Sequence, residues 1–177
     1  MGHFTRLARL ALLLVIGAGL VGARDQGPAP PGKPTGPQEV TVLGLLVDDR
    51  TQQPTIVLQG KRDGRTFAMV IGPAEATGIA IPLQKLTPPR PLTHDLFLTL
   101  FGRLNVTVSK VVITDLRDNT YYATLFLSAA GTPMELDSRP SDAIALAVRA
   151  KAPIYAEDRV FEKADRLPLG PESGPRI

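Results

Sequence analysis

Strand-like runs in this chain fall into two clusters, each folded on itself by tight polar turns, with helical stretches set between and after the clusters. Residues 39–47 (EVTVLGLLV), 55–59 and 66–71 are rich in β-branched and aliphatic side chains, and the last two flank Gly60-Lys61-Arg62-Asp63-Gly64. That pattern predicts a three-stranded meander. Residues 106–116 and 120–128 are joined across Arg117-Asp118-Asn119, where Asp and Asn tolerate the positive φ of a tight hairpin, and 133–137 supplies a further strand. Helical stretches are expected at 73–80, 93–104, 140–150 and 159–164, with a short strand at 154–156. Grouped hairpins with helices inserted between them specify an α+β fold, one compact domain of antiparallel or mixed strands, and exclude the regular alternation of a doubly wound sheet.

Each helix carries its own signal. Pro73 and Pro140 open two of them at a position where the missing N–H costs nothing. Gly78 and Pro82 are expected to weaken or kink the first. In the second, Phe97, Leu100, Phe101 and Leu104 recur at i, i+3, i+4 and i+7 and are expected to face the core. In the third, Ile144, Ala147 and Val148 define one face, while Arg149 and Lys151 suit the negative helix end. Asp158 is placed to cap the last.

The termini read differently. Arg6 and Arg9 precede an uncharged, mostly apolar run that closes in Val21-Gly22-Ala23, so residues 1–23 read as a secretory signal peptide. An uncleaved, tilted membrane anchor is the alternative, since the run is shorter than the roughly 20 residues that span a bilayer comfortably. Residues 24–37 form a Pro/Gly-rich linker, 38–165 the folded domain and 166–177 a flexible tail. Export to the periplasm, envelope or medium follows, with no other membrane association. The formal charge of +3 belongs to the whole chain; residues 38–165 hold 14 Lys plus Arg against 15 Asp plus Glu, a net of −1. That balance lacks the basic excess of a strong non-specific DNA binder. With no cysteine, disulfides and thiolate chemistry are excluded.

P-loop, GxSxG, HExxH and dinucleotide-binding glycine motifs are all absent. His3 falls in the signal segment, so histidine chemistry in the mature chain must use His94. A helix N-terminus disfavours the imidazolium there, leaving the ring available as base or ligand; capping by His94 and Asp95 is the competing account. Asp142 lies in a first helical turn that stabilises its charge, as a cation ligand or as a cap, and Arg139 with Ser141 beside it offers donors to a phosphate oxygen. The carboxylates available to a cation are Glu75, Asp95, Asp115, Asp118, Asp137 and Asp142, although Asp118 is already explained by its turn. The basic tip Lys61, Arg62 and Arg65 reads as a solvated loop. Eight aromatics in the folded part provide little for base stacking.

Four stretches together, IGPAEATGIAI (71–81), PPRPLTHDL (88–96), VVITDLRDNTYYATL (111–125) and SRPSDAIALA (138–147), resemble the bifunctional nuclease (BFN) domain family over nearly the whole folded segment. The resemblance implies a compact α+β domain of a kind often found as a single bacterial domain, and nuclease action on RNA and DNA. The matching motifs contain Glu75, Arg90, His94, Asp95, Asp115, Arg139, Ser141 and Asp142. The roles we expect of them are Asp142, Asp115 and Glu75 as ligands of Mg²⁺ or Mn²⁺ and His94 as the proton-relaying group, with Asp95 beside it. Arg90, Arg139 and Ser141 would then meet the scissile phosphate. Gly78 with Pro82, Asn119 in place of a hairpin glycine, and the export signal depart from the family pattern. A non-catalytic anion- or partner-binding module of the cell envelope is the rival expectation. A homo-oligomer is compatible with such a domain, though no residue pattern specifies one.

Overall fold

The computed structural model describes residues 36–164. The segments read as signal peptide and tail, and nearly all of the linker, lie outside the described residues. The first strand cluster forms β1 (Gln38–Val47), β2 (Pro54–Gly60) and β3 (Thr66–Val70); the second forms β4 (Val106–Arg117), β5 (Thr120–Ala129) and β6 (Thr132–Ser138). Helices α1 (Pro73–Leu83) and α2 (Thr93–Arg103) lie between the clusters, and α3 (Pro140–Ala150), β7 (Ile154–Ala156) and α4 (Asp158–Ala164) close the chain.

β7 unites the two clusters. Three residues long, it lies antiparallel to β1 and parallel to β4, giving one seven-stranded sheet in the order β3-β2-β1-β7-β4-β5-β6. Register aligns Val40, Ile154, Val111, Leu125 and Leu136 across five strands on one face. At the β4–β5 turn, Asp118 and Asn119 adopt φ of 47° and 60°, the left-handed pair a two-residue hairpin requires. The sheet bends until the start of β5 meets β3, where the Tyr121 hydroxyl donates to the Ala68 carbonyl at 3.0 Å. Phe67 meets Phe161 of α4 edge to face at 5.0 Å in the same region.

α3 lies at the centre of this architecture. Pro140, Ser141 and every residue from Ala143 to Ala147 are buried, far more than the single face its periodicity predicted. The reason is side-chain size: alanine on several sides lets α1, α2 and the sheet approach the helix together. α2 departs the other way, for none of its residues is fully buried. Leu98 and Phe101 lean on the core, whereas Phe97, Leu100 and Leu104 are 49%, 52% and 61% exposed. Helical spacing located an apolar stripe but not which neighbour would cover it, and α2 touches α3 and β4 along a narrow side only.

α1 runs through Gly78 and Pro82 to Leu83 instead of stopping at residue 80. Pro82 removes the amide that would have bonded the Gly78 carbonyl four residues earlier, and Arg149 of α3 replaces that donor. Asp158 proves to be a tether. Its carboxylate accepts from Arg62 and Arg65 at the β2–β3 turn and from the Gly36 amide, which binds α4 to that turn and to the residues leading into β1.

Candidate active site

Three helices bring polar groups to one wall of the domain. Pro140 starts α3 with Arg139 just outside it in extended conformation, and the Arg139 guanidinium folds over the first turn to bond both oxygens of Asp142, at 2.7 and 3.1 Å. Its remaining nitrogen reaches Glu75, in the first turn of α1, at 3.1 Å. His94, in the first turn of α2, brings Nε2 to 3.7 Å from Asp142, an electrostatic contact beyond hydrogen-bond range. Hydrogen bonding to Asp142, with Glu75 adding to it, raises the Arg139 pKa above its ordinary value. Apart from His94, the cluster holds two carboxylates against one guanidinium, a sum of −1.

Gly78 is what lets His94 approach. Its position sits so close to the imidazole that a Cβ built there would lie 2.9 Å from Cε1 and 3.2 Å from Nδ1. A mid-helix glycine costs about 1 kcal/mol in helix propensity, and here it yields the space in which the ring sits. Behind the ring lies Arg149, whose side chain is only 7% exposed. Its Nε donates to Asp95 at 2.7 Å, while one terminal nitrogen donates to Gly78 at 2.5 Å and to Ala145 at 3.0 Å. The other terminal nitrogen is buried without a partner among the described residues. Asp95 also caps its own helix by accepting from the Leu92 amide at 2.8 Å. Burial pushes the Asp95 carboxyl up, but the Leu92 amide and Arg149 outweigh it and hold it below the usual carboxylate range.

The structure thus gathers Glu75, His94, Arg139 and Asp142, and sets Ser141 in an adjoining groove. The other predicted residues go elsewhere. Asp95 turns inward to Arg149. Arg90 lies exposed in the α1–α2 connection and makes no ion pair among the described residues. Asp115 does not join Glu75 and Asp142: it is held by Lys163 at 2.5 Å and Arg117 at 3.2 Å, and these bonds, led by that from Lys163, lower its pKa. Among the described residues no three histidine or acidic side chains form a ready metal-binding group. Glu75 and Asp142 do supply oxygen donors suited to a hard divalent cation, drawn toward one point by the guanidinium they share.

Sequence reasoning missed Arg149, read only as a complement to the helix dipole, and Gly78, read only as a helix weakener. Pro82 four residues after Gly78 was the available signal, because it orphans a carbonyl that some donor must satisfy. Asn119, Thr120 and Tyr121, which line the groove beside Ser141, were read as hairpin residues alone.

The sequence profile of the Bifunctional nuclease domain matches residues 56–167, which include every residue of this cluster. The chain belongs to the bifunctional nuclease domain family. It is 38% identical to an uncharacterized protein of Mycobacterium tuberculosis over 129 residues, covering 73% of this chain and 77% of that one. It is 31% identical over 121 residues to the Oryza sativa subsp. japonica protein named Bifunctional nuclease 1, covering 66% of this chain and 36% of the rice protein. The Arabidopsis thaliana Bifunctional nuclease 1 matches at 32% over 104 residues, 49% of this chain and 32% of that protein. The matched stretch covers about a third of these plant proteins' length.

Proposed function

We propose that this bifunctional nuclease domain hydrolyses phosphodiester bonds in RNA and DNA with the help of a divalent cation. The observation that carries the reading is the convergence of Glu75, His94, Arg139 and Asp142 from three helix starts, within a family whose plant relatives bear the name bifunctional nuclease. Charge supports the cation. A cluster whose two carboxylates outnumber its one guanidinium repels a phosphodiester, whereas Glu75 and Asp142 would offset that repulsion by holding a divalent cation, and Arg139 would then be free to face the substrate. Mg²⁺ or Mn²⁺ held by those carboxylates would supply Lewis-acid stabilisation of the phosphoryl charge.

The chain's own groups do the rest. His94, close to Asp142, accepts a proton from the attacking water as its oxygen bonds to phosphorus. The bond from phosphorus to the leaving nucleoside oxygen breaks, and that oxygen takes up a proton from solvent. Arg139 meets the charge that builds on the phosphoryl oxygens. Export of the mature domain to the envelope or medium, where it meets scavenged nucleic acid, belongs to the same proposal.

One observation favours a second reading. All three guanidinium nitrogens of Arg139 already contact Glu75 or Asp142, as expected if the cluster only fastens α1 to α3 in a binding module. Cleavage of labelled single-stranded RNA and DNA by the purified protein, in Mg²⁺, Mn²⁺ or EDTA, separates the two. Metal-dependent cleavage that drops at least a hundredfold in folded His94→Ala and Asp142→Ala variants supports the nuclease. Absence of cleavage supports the binding module, and cleavage unchanged in both variants removes His94 and Asp142 from the mechanism.

A further inference from the structure

The wall that carries Glu75 and Arg139 is also one side of a groove of about 400 Å³, bounded by the end of β3, the β4–β5 turn and the start of α3. Val70, Ile71 and Tyr121 give it apolar flanks, and Asn119 and Thr120 line it as well. Ser141, 8% exposed, also lines it. Mostly apolar flanks with a few convergent polar groups are the make-up of a small-molecule pocket, and this volume lies at the small end of that range. A duplex does not enter such a space. One unstacked nucleoside does, its base against the apolar flank and its edge toward Asn119, Thr120 and Ser141.

The charge map points the same way. Of the basic side chains in the folded part, Lys61, Arg62, Arg65, Arg117, Arg139, Arg149 and Lys163 are each paired with a carboxylate. The other seven, Arg50, Lys85, Arg90, Arg103, Lys110, Lys151 and Arg159, make no ion pair among the described residues, but none of them lines the groove, where Arg139 is the one basic side chain. At the groove itself affinity has to come from seating a base.

Resting on the nuclease reading, we propose that this groove is the nucleoside subsite beside the reaction centre, and that it restricts the substrate to single-stranded nucleic acid. The test is fluorescence anisotropy of a labelled single-stranded hexanucleotide, as RNA and as DNA, against a hairpin carrying the same sequence in its duplex stem. Each is titrated with the full chain in EDTA and in Mg²⁺, over a range of salt. Val70→Trp and Thr120→Trp fill the groove from exposed positions, and far-UV circular dichroism checks that they fold. Expected are at least tenfold tighter binding of the single strand than of the stem, a tenfold or greater loss in both variants, and a salt slope worth about one or two phosphates. Equal affinity for the stem, unaltered binding by both folded variants, no binding of any probe, or a slope of five or more phosphates overturns the proposal. The nuclease reading is judged separately by cleavage: single-strand binding lost in the variants, with no cleavage by the wild type, removes the nuclease and leaves the groove. Cleavage that proceeds at wild-type kcat/KM in both variants removes the groove and leaves the nuclease.

Discussion

Arg149 donates to the Gly78 carbonyl at 2.5 Å, supplying α1 with the hydrogen bond that Pro82 denies it. The same guanidinium holds Asp95 of α2, so one buried side chain fastens three helices around the place where His94 sits. Replacing Arg149 with alanine leaves the Gly78 carbonyl unmatched and the Asp95 charge without its partner. The expected loss is about 3 kcal/mol, as for other broken buried pairs. Arg149→Met, which fills the space without the charge, should lose less than Arg149→Ala. Urea denaturation midpoints of both variants check the order.

The carboxyls of Asp95 and Asp115 give the domain an acid-sensitive side. Both are held below their ordinary pKa: Asp95 against burial by the Leu92 amide and Arg149, Asp115 chiefly by Lys163. A depressed folded pKa contributes stability that is present above the unfolded value of about 3.9 and is lost as pH falls through the folded value. Stability measured by urea titration should therefore hold from pH 7 to about 5 and fall below about 4. In Asp95→Asn and Asp115→Asn the decline should be shallower, because each variant begins without the contribution that acid removes.

Gly78→Ala sets local propensity against the site. The substitution favours an isolated helix by about 1 kcal/mol, yet its Cβ would meet the His94 ring at 2.9 Å. The ring must move, since the facing atoms on α1 are backbone. Expected are a folded protein, a changed His94 imidazole signal in the proton–nitrogen NMR spectrum, and cleavage at least tenfold slower than wild type. An unchanged imidazole signal with unchanged cleavage would show that His94 tolerates the methyl.

Burial separates two leucine-sized positions that hydrophobic spacing treats alike. Ile144 on α3 is fully buried, whereas Leu100 on α2 is half exposed. Ile144→Ala should cost about 2–5 kcal/mol through lost contacts and the cavity left behind. Leu100→Ala should cost under about 1 kcal/mol, as surface substitutions do. Thermal unfolding of the two variants in parallel measures the difference.

Much of the fold was legible before any coordinates. Pro73 and Pro140 mark helix starts, Asp118 and Asn119 turn the hairpin with positive φ, and 140–150 and 154–156 match α3 and β7 to the residue, because each signal is local backbone chemistry. Misreadings arose where a side chain's partner lies far along the chain. Asp158 looked like a cap and instead binds Arg62 and Arg65, more than ninety residues away. Phe97 and Leu100 looked like core and face outward. Among the candidate site residues, His94, Arg139 and Asp142 were conspicuous by type and by position at helix starts, and Glu75 by its first-turn place in α1. No spacing could tell that Asp115 would be taken by Lys163, 48 residues on.

By itself the sequence determined the order and kind of the elements, the absence of thiol chemistry, the near-neutral charge of the folded part and the family motifs, since these depend on residue type and on neighbours a few positions apart. The tertiary structure alone decided that β7 would join two strand clusters into one sheet, that alanine-rich α3 would lie at its centre, and that α1, α2 and α3 would meet at Glu75, His94, Arg139 and Asp142. Those outcomes rest on which surfaces fit when distant segments compete for burial and for charge partners, and that competition is settled only when the whole chain packs.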